Sequence, residues 1–267
     1  MSKRSTWTTR LFVAASILSV LALAPARSEA KPKGAKGAKE AGPSAWCAPE
    51  VETLPGNVCY LDGNSKNASR RTLVIFLHGA IAKNTNWSQN HERMMLRVAK
   101  ATNIEILFPQ SPLTEAGYVW PGSLKAQEAV EQELIDGWMA AKRLVEKRDG
   151  RAFDDVFVMG FSSGAYFASS LAMRGRLDVD GYAMFAGGQP MPARPSPIER
   201  FSPVFVGICG NDETTAAHSR AFVSSLRAAG IPSASNEQPV GHGVDAVHFN
   251  SALAFLRNKN KARFAMR

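Results

Sequence analysis

Five short apolar runs, each halted by glycine or proline, constrain this chain more than any other feature. Thr72–Leu77 stops at His78-Gly79, Ile104–Phe108 at Pro109 and Val156–Met159 at Gly160. Tyr182–Phe185 stops at Gly187-Gly188, and Val204–Ile208 at Gly210. Runs that are apolar on both faces suit central strands of a parallel sheet covered on each side. Spacings near 3.6 fill the gaps and predict helices over His91–Ala101, Ser123–Lys147, Ala165–Arg174, Thr214–Ala229 and Leu253–Phe264. Strand–helix alternation of this kind predicts an α/β fold built on a doubly wound, mostly parallel sheet. In such sheets the chemistry gathers at the carboxyl ends of the strands. Four clusters of interest fall there: His78-Gly79, Gly160–Gly164, Gly210–Asp212 and Gly241–Gly243.

The first of those strands begins only after a long preamble. Lys3, Arg4 and Arg10 precede the apolar run Leu11–Ala24, and Ser28-Glu29-Ala30 places small residues where a signal peptidase reads. The run is shorter than the roughly 20 residues a bilayer span needs, so a cleaved signal over residues 1–30 is expected rather than stable membrane insertion. Residues 31–45 are rich in Lys, Gly and Ala, cannot build a core, and read as a solvated linker. Residues 46–267 form the expected folded domain, exported to the periplasm or beyond after cleavage near Ala30.

Loss of residues 1–30 removes four basic residues and one acid, so the formal charge falls from +9 to +6. The remaining basic residues are scattered without interleaved aromatics, which argues against nucleic acid as a partner. Cys47 and Cys59 lie close together ahead of the first strong strand, and export permits their oxidation to a disulfide. Cys209 sits inside an apolar run and reads as a buried free thiol. None of the three has metal-ligand spacing, so no metal is expected.

Gly160-Phe161-Ser162-Ser163-Gly164 is G-x-S-x-G between a strand and a helix rich in Ala and Ser. A serine nucleophile needs a sharp strand-to-helix turn that exposes its hydroxyl, and glycines remove the Cβ atoms that would clash there. Serine is a poor nucleophile without a base, and the base needs an orienting partner. Asp212, just after the Val204–Ile208 strand, fits the acid, with Glu213 its neighbour in competition and a helix-capping role as the other reading. His242, between Gly241 and Gly243, fits the base in the chain order Ser–Asp–His. His248 is the alternative, but it enters the last helix. His78 comes too early, and His91 and His218 fall within helices.

The oxyanion hole requires two convergent amides. One is expected from Ser163. The other is expected from Ala80 in the loop after Thr72–Leu77, with Ile81 second. Trp120 and Trp87 are candidates to line the acyl or alcohol pocket, with core or surface packing as the other reading of each.

The segments LVIFLHG, VFVMGFSSGA, VGICGNDE and VGHG, in this order over residues 70–257, resemble the α/β-hydrolase superfamily. Within it the chain is similar to carboxylesterase/phospholipase-type and dienelactone-hydrolase-type enzymes, and to secreted polyester depolymerases and feruloyl esterases. The resemblance implies an eight-stranded sheet, an acyl-serine intermediate, and no metal or organic cofactor. Only Val51–Leu61 is available for the N-terminal antiparallel strands, so a shortened sheet is expected. Lid domains of the superfamily enter after the strand that here is Tyr182–Phe185. The segment Gly187–Ser202 is too short for a helical cap and carries Pro190, Pro192, Pro195 and Pro197.

An open site acting on small or surface-presented esters is therefore the main expectation. The same triad acting on polyester, feruloyl ester, thioester or peptide bonds is the second. A catalytically silent binding protein of the envelope is the third. The sequence does not set the oligomeric state.

Overall fold

The computed structural model describes residues 46–189 and 201–265, with side chains up to residue 260. The expected leader and linker lie outside the described residues, as does most of the Pro-rich segment. The strands are β1 (Glu52–Leu54), β2 (Val58–Asp62), β3 (Thr72–Leu77), β4 (Glu105–Pro109), β5 (Leu113–Thr114), β6 (Gly117–Tyr118), β7 (Asp155–Phe161), β8 (Gly181–Phe185), β9 (Val204–Cys209) and β10 (Ser233–Gln238). The helices are α1 (Trp87–Thr102), α2 (Leu124–Asp149), α3 (Ser163–Arg174), α4 (Ala216–Ala228) and α5 (Ala246–Ala265). The main sheet runs β1-β2-β4-β3-β7-β8-β9-β10, and β5 and β6 form a separate hairpin. From β4 to β10 every pairing is parallel, whereas β2 runs antiparallel to both β4 and β1.

The central strands are buried on both faces, as their unbroken apolar runs require. Leu73, Ile75 and Leu77 of β3 join one core with Ile135 and Trp138 of α2, Phe167 of α3 and Phe222 of α4. The alternate residues Val74 and Phe76 join a second core with Met95 of α1 and Phe249 and Leu256 of α5. The period of two along β3 thus feeds two layers of helix, which is the doubly wound arrangement.

The shortened sheet expected from the sequence is corrected here. Eleven residues suffice for two antiparallel strands, because the turn between β1 and β2 is tight, with Gly56 and Asn57 both at positive φ. A Cys47–Cys59 disulfide, with Cα atoms 5.5 Å apart, ties the start of the folded region to β2. Among the described residues no helix is long and apolar enough to cross a membrane.

Candidate active site

Ser162 stands between β7 and α3 with φ 52° and ψ −119°, a backbone conformation that side chains rarely adopt. Its flanking glycines make the turn possible. A Cβ on Gly160 would strike the Gly164 carbonyl, and one on Gly164 would strike the carbonyl of Leu77 in β3. The turn is pinned by the Ser162 amide, which donates to Phe185 O at the end of β8 (3.0 Å).

Ser162 Oγ lies 2.9 Å from His242 Nε2, and His242 Nδ1 lies 2.6 Å from Asp212 Oδ2. A carboxylate only accepts, so the imidazole proton sits on Nδ1 and Nε2 faces the serine hydroxyl as acceptor. Asp212 Oδ1 accepts from the amides of Thr214 (3.0 Å) and Thr215 (3.3 Å), and the Thr215 hydroxyl donates to Oδ2. Burial raises the Asp212 carboxyl, but the bonds from Thr215, His242 and Thr214 outweigh it and hold it below the usual carboxylate range. Asp212 therefore also secures the turn into α4, whose N-cap position is Thr215 rather than Asp212 itself.

His248, the alternative base, is fully buried in α5 and makes no bond to Ser162 or Asp212. Glu213 is not joined to His242. His218 instead pairs with the Tyr166 hydroxyl (2.7 Å).

The loop after β3 carries both candidate amides, those of Ala80 and Ile81. Ile81 N donates to Tyr118 O (3.0 Å) and is spent in that bridge. Ala80, exposed at the surface, and Ser163, at the first turn of α3, have no acceptor for their amides among the described residues. His78 holds this loop. Its Nδ1 donates to Gly79 O (2.5 Å), and its Nε2 accepts from Ser111 N (3.3 Å). Burial pushes the imidazole down to about 4, against the partial support of the Gly79 carbonyl, so the ring is neutral. Trp46, Phe108 and Trp120 all pack around it.

The structure does not bring Trp120 to Ser162. Its ring is buried, stacked on Phe167, and its indole N–H donates to His78 O (2.9 Å). It also lines an apolar cavity of about 410 Å³ with Pro112, Val119 and Pro121, to which neither Ser162, Asp212 nor His242 contributes. It thus supports the loop after β3 from beneath and walls that separate cavity. Trp87, by contrast, lies at the start of α1 and is 58% exposed.

Other supporting residues carried no sequence signal of their own. The Asn211 side chain donates to Pro239 O (2.8 Å), and its amide donates to Val240 O (3.1 Å), fastening the His242 loop to the Asp212 loop. The Cys209 thiol, kept protonated by burial, donates to Gly243 O (3.3 Å) beyond His242. Asn211 and Cys209 flank the Gly210 turn and stand next to a chemically interesting residue, which is the only hint the sequence offered. Among the described residues one cluster, Cys47, Cys59 and Glu92, groups metal-ligating types, but both sulfurs are spent in the disulfide.

No family model matches the chain, and no curated protein matches it in sequence. In structure it is similar to a carboxylesterase from Mesorhizobium loti, with TM-score 0.58 and 20% identity over 78% of this chain and 98% of that one. It is similar to a carboxylesterase from Bacillus cereus, with TM-score 0.56 and 18% identity over 76% and 94%. It is also similar to SOBER1 from Arabidopsis thaliana, with TM-score 0.52 and 16% identity over 70% and 99%. The chain has the α/β-hydrolase fold.

Proposed function

We propose that this chain is an exported serine hydrolase that cleaves carboxylic esters through an acyl-enzyme on Ser162. The unbroken hydrogen-bonded line from Ser162 through His242 to Asp212 carries the reading, because it ends on a serine held in a strained turn. Ser162 Oγ attacks the ester carbonyl while His242 Nε2 takes its proton. Asp212 fixes the imidazole tautomer and stabilises the imidazolium. The amides of Ser163 and Ala80 receive the oxyanion. His242 then protonates the departing alcohol oxygen, and in the second half-reaction it activates water against the acyl-serine.

Fold similarity to two carboxylesterases supports an ester as the bond cleaved. The His242 side chain is 42% exposed, which suits small or surface-presented esters. The Cys47–Cys59 disulfide supports an oxidising location such as the periplasm or the exterior.

Mixing the purified protein with excess 4-nitrophenyl acetate tests the reading. A burst of nitrophenol approaching one equivalent, followed by slower steady release, is expected. The Ser162→Ala variant is expected to lose the burst and roughly 10⁴- to 10⁶-fold in kcat. Wild-type protein that is folded yet shows neither burst nor turnover contradicts the reading.

A further inference from the structure

A line of aromatic rings leads away from His242 that the proposed mechanism does not use. The Phe161 ring lies 5.0 Å from the His242 ring, centroid to centroid. His91 meets Phe161 edge-on at 6.4 Å, and Trp87 meets His91 edge-on at 5.4 Å. Phe161 precedes the nucleophile on β7, whereas His91 and Trp87 share one face of α1, four residues apart. Phe161 also lies against the oxyanion loop, since a Cβ on Gly79 would sit 3.0 Å from its ring. The line therefore starts between the base and the oxyanion loop and ends on an indole that is more than half open.

Burial lowers the His91 imidazole below its ordinary value. Its Nδ1 has no hydrogen-bond partner. The indole of Trp87 is 58% exposed.

We propose that Trp87 and the partly exposed His91, backed by the buried Phe161 ring, form a shelf for an aromatic ring on the alcohol side of the ester. The inference rests on the ester-hydrolase reading and specifies its substrate. The side follows from chemistry: His242 must reach the leaving oxygen to protonate it, so whatever that oxygen carries extends from His242 along the neighbouring surface. That surface is the line of rings. A flat, uncharged ring stacks there, and an aryl or arylmethyl alcohol is the leaving group the shelf takes. Trp87 and His91 contribute binding alone, and Phe161 also keeps the His242 ring in place.

Benzyl acetate and butyl acetate, whose leaving alcohols differ little in acidity, separate ring recognition from reactivity. Trp87→Ala is expected to lower the benzyl-to-butyl ratio of kcat/KM about five- to tenfold, chiefly through KM for the benzyl ester. Trp87→Phe is expected to restore most of it. A purely structural role for Trp87 would change both esters alike, and an unchanged ratio overturns the shelf. Benzyl alcohol titrated into Ser162→Ala, followed through the indole N–H signal that Trp87→Ala lacks, tests binding without turnover. A saturable shift is expected, and no shift overturns the shelf even if both esters are hydrolysed. Failure of the wild type to turn over either ester would instead overturn the hydrolase reading.

Discussion

Asp212 is fixed by three donors besides His242, and each has a separable consequence. Asp212→Asn keeps the shape but offers an amide where Nδ1–H needs an acceptor, so the imidazole is held in the wrong tautomer. A fall of about 10⁴-fold in kcat is expected, with little change in KM. Thr215→Val removes one hydroxyl donor to Oδ2 and leaves the two amides. A loss of roughly tenfold or less is expected from that smaller change. Equal losses in the two variants, measured by steady-state kinetics, would contradict this ranking. Ser162, Asp212 and His242 were legible in the sequence because each follows a strand end in the right order. Thr215, Asn211 and Cys209 were not, because a hydroxyl, amide or thiol acquires its role only from the loop that folds against it.

The loop after β3 depends on a histidine that the sequence set aside as too early for a base. His78 is neutral in the fold at about 4 against an ordinary value of 6.5, so its contribution is intact above the ordinary value. As pH falls from about 6.5 toward 4 the unfolded chain takes up a proton that the fold refuses, and up to about 3 kcal/mol is lost. Wild type is thus expected to be more stable than His78→Gln at pH 7.5, with the advantage shrinking by pH 4.5 in urea titrations. An advantage that is constant with pH would contradict this.

Trp120→Phe strips the donor from the buried His78 carbonyl and is expected to cost about 1–3 kcal/mol of stability. The strands β3, β4, β7, β8 and β9 were readable from their two-sided apolar runs. The edge strand β10 (Ser233–Gln238) was not, since all its residues but Ala234 are polar and it is only partly buried, and its place is set by pairing with β9. The last helix begins at Ala246 rather than Leu253, because polar residues around Asp245 and Asn250 hid its first two turns.

Across the molecule, the start of the folded region is fastened at two neighbouring points. The disulfide closes a loop of 12 residues, and its removal by Cys47→Ser with Cys59→Ser is expected to cost about 3 kcal/mol. Beside it Glu92 accepts from Ala48 N (2.7 Å) in a buried position, and burial pushes the carboxyl up to about 7 despite that bond. Below the ordinary value of 4.5 both states are neutral and nothing is lost. As pH rises to about 7 the unfolded chain releases a proton that the fold retains, so the fold is destabilised. Glu92→Gln is therefore expected to raise Tm most at pH 8 and least at pH 4.5. The reverse order would contradict the assignment.

The Cys47–Cys59 pairing could be read from proximity and compartment, whereas Glu92, inside a predicted helix, carried no signal of its own. The order of elements conveyed the fold, and the ring line from His242 to Trp87 required the fold itself.

The central claim is that Ser162 is an activated nucleophile. A fluorophosphonate probe, with the adduct mapped by mass spectrometry in wild type and in Ser162→Ala, tests it most directly. A single adduct on Ser162 that is absent from the variant is the expected result. A folded wild type that takes no label, or takes it elsewhere, contradicts the account.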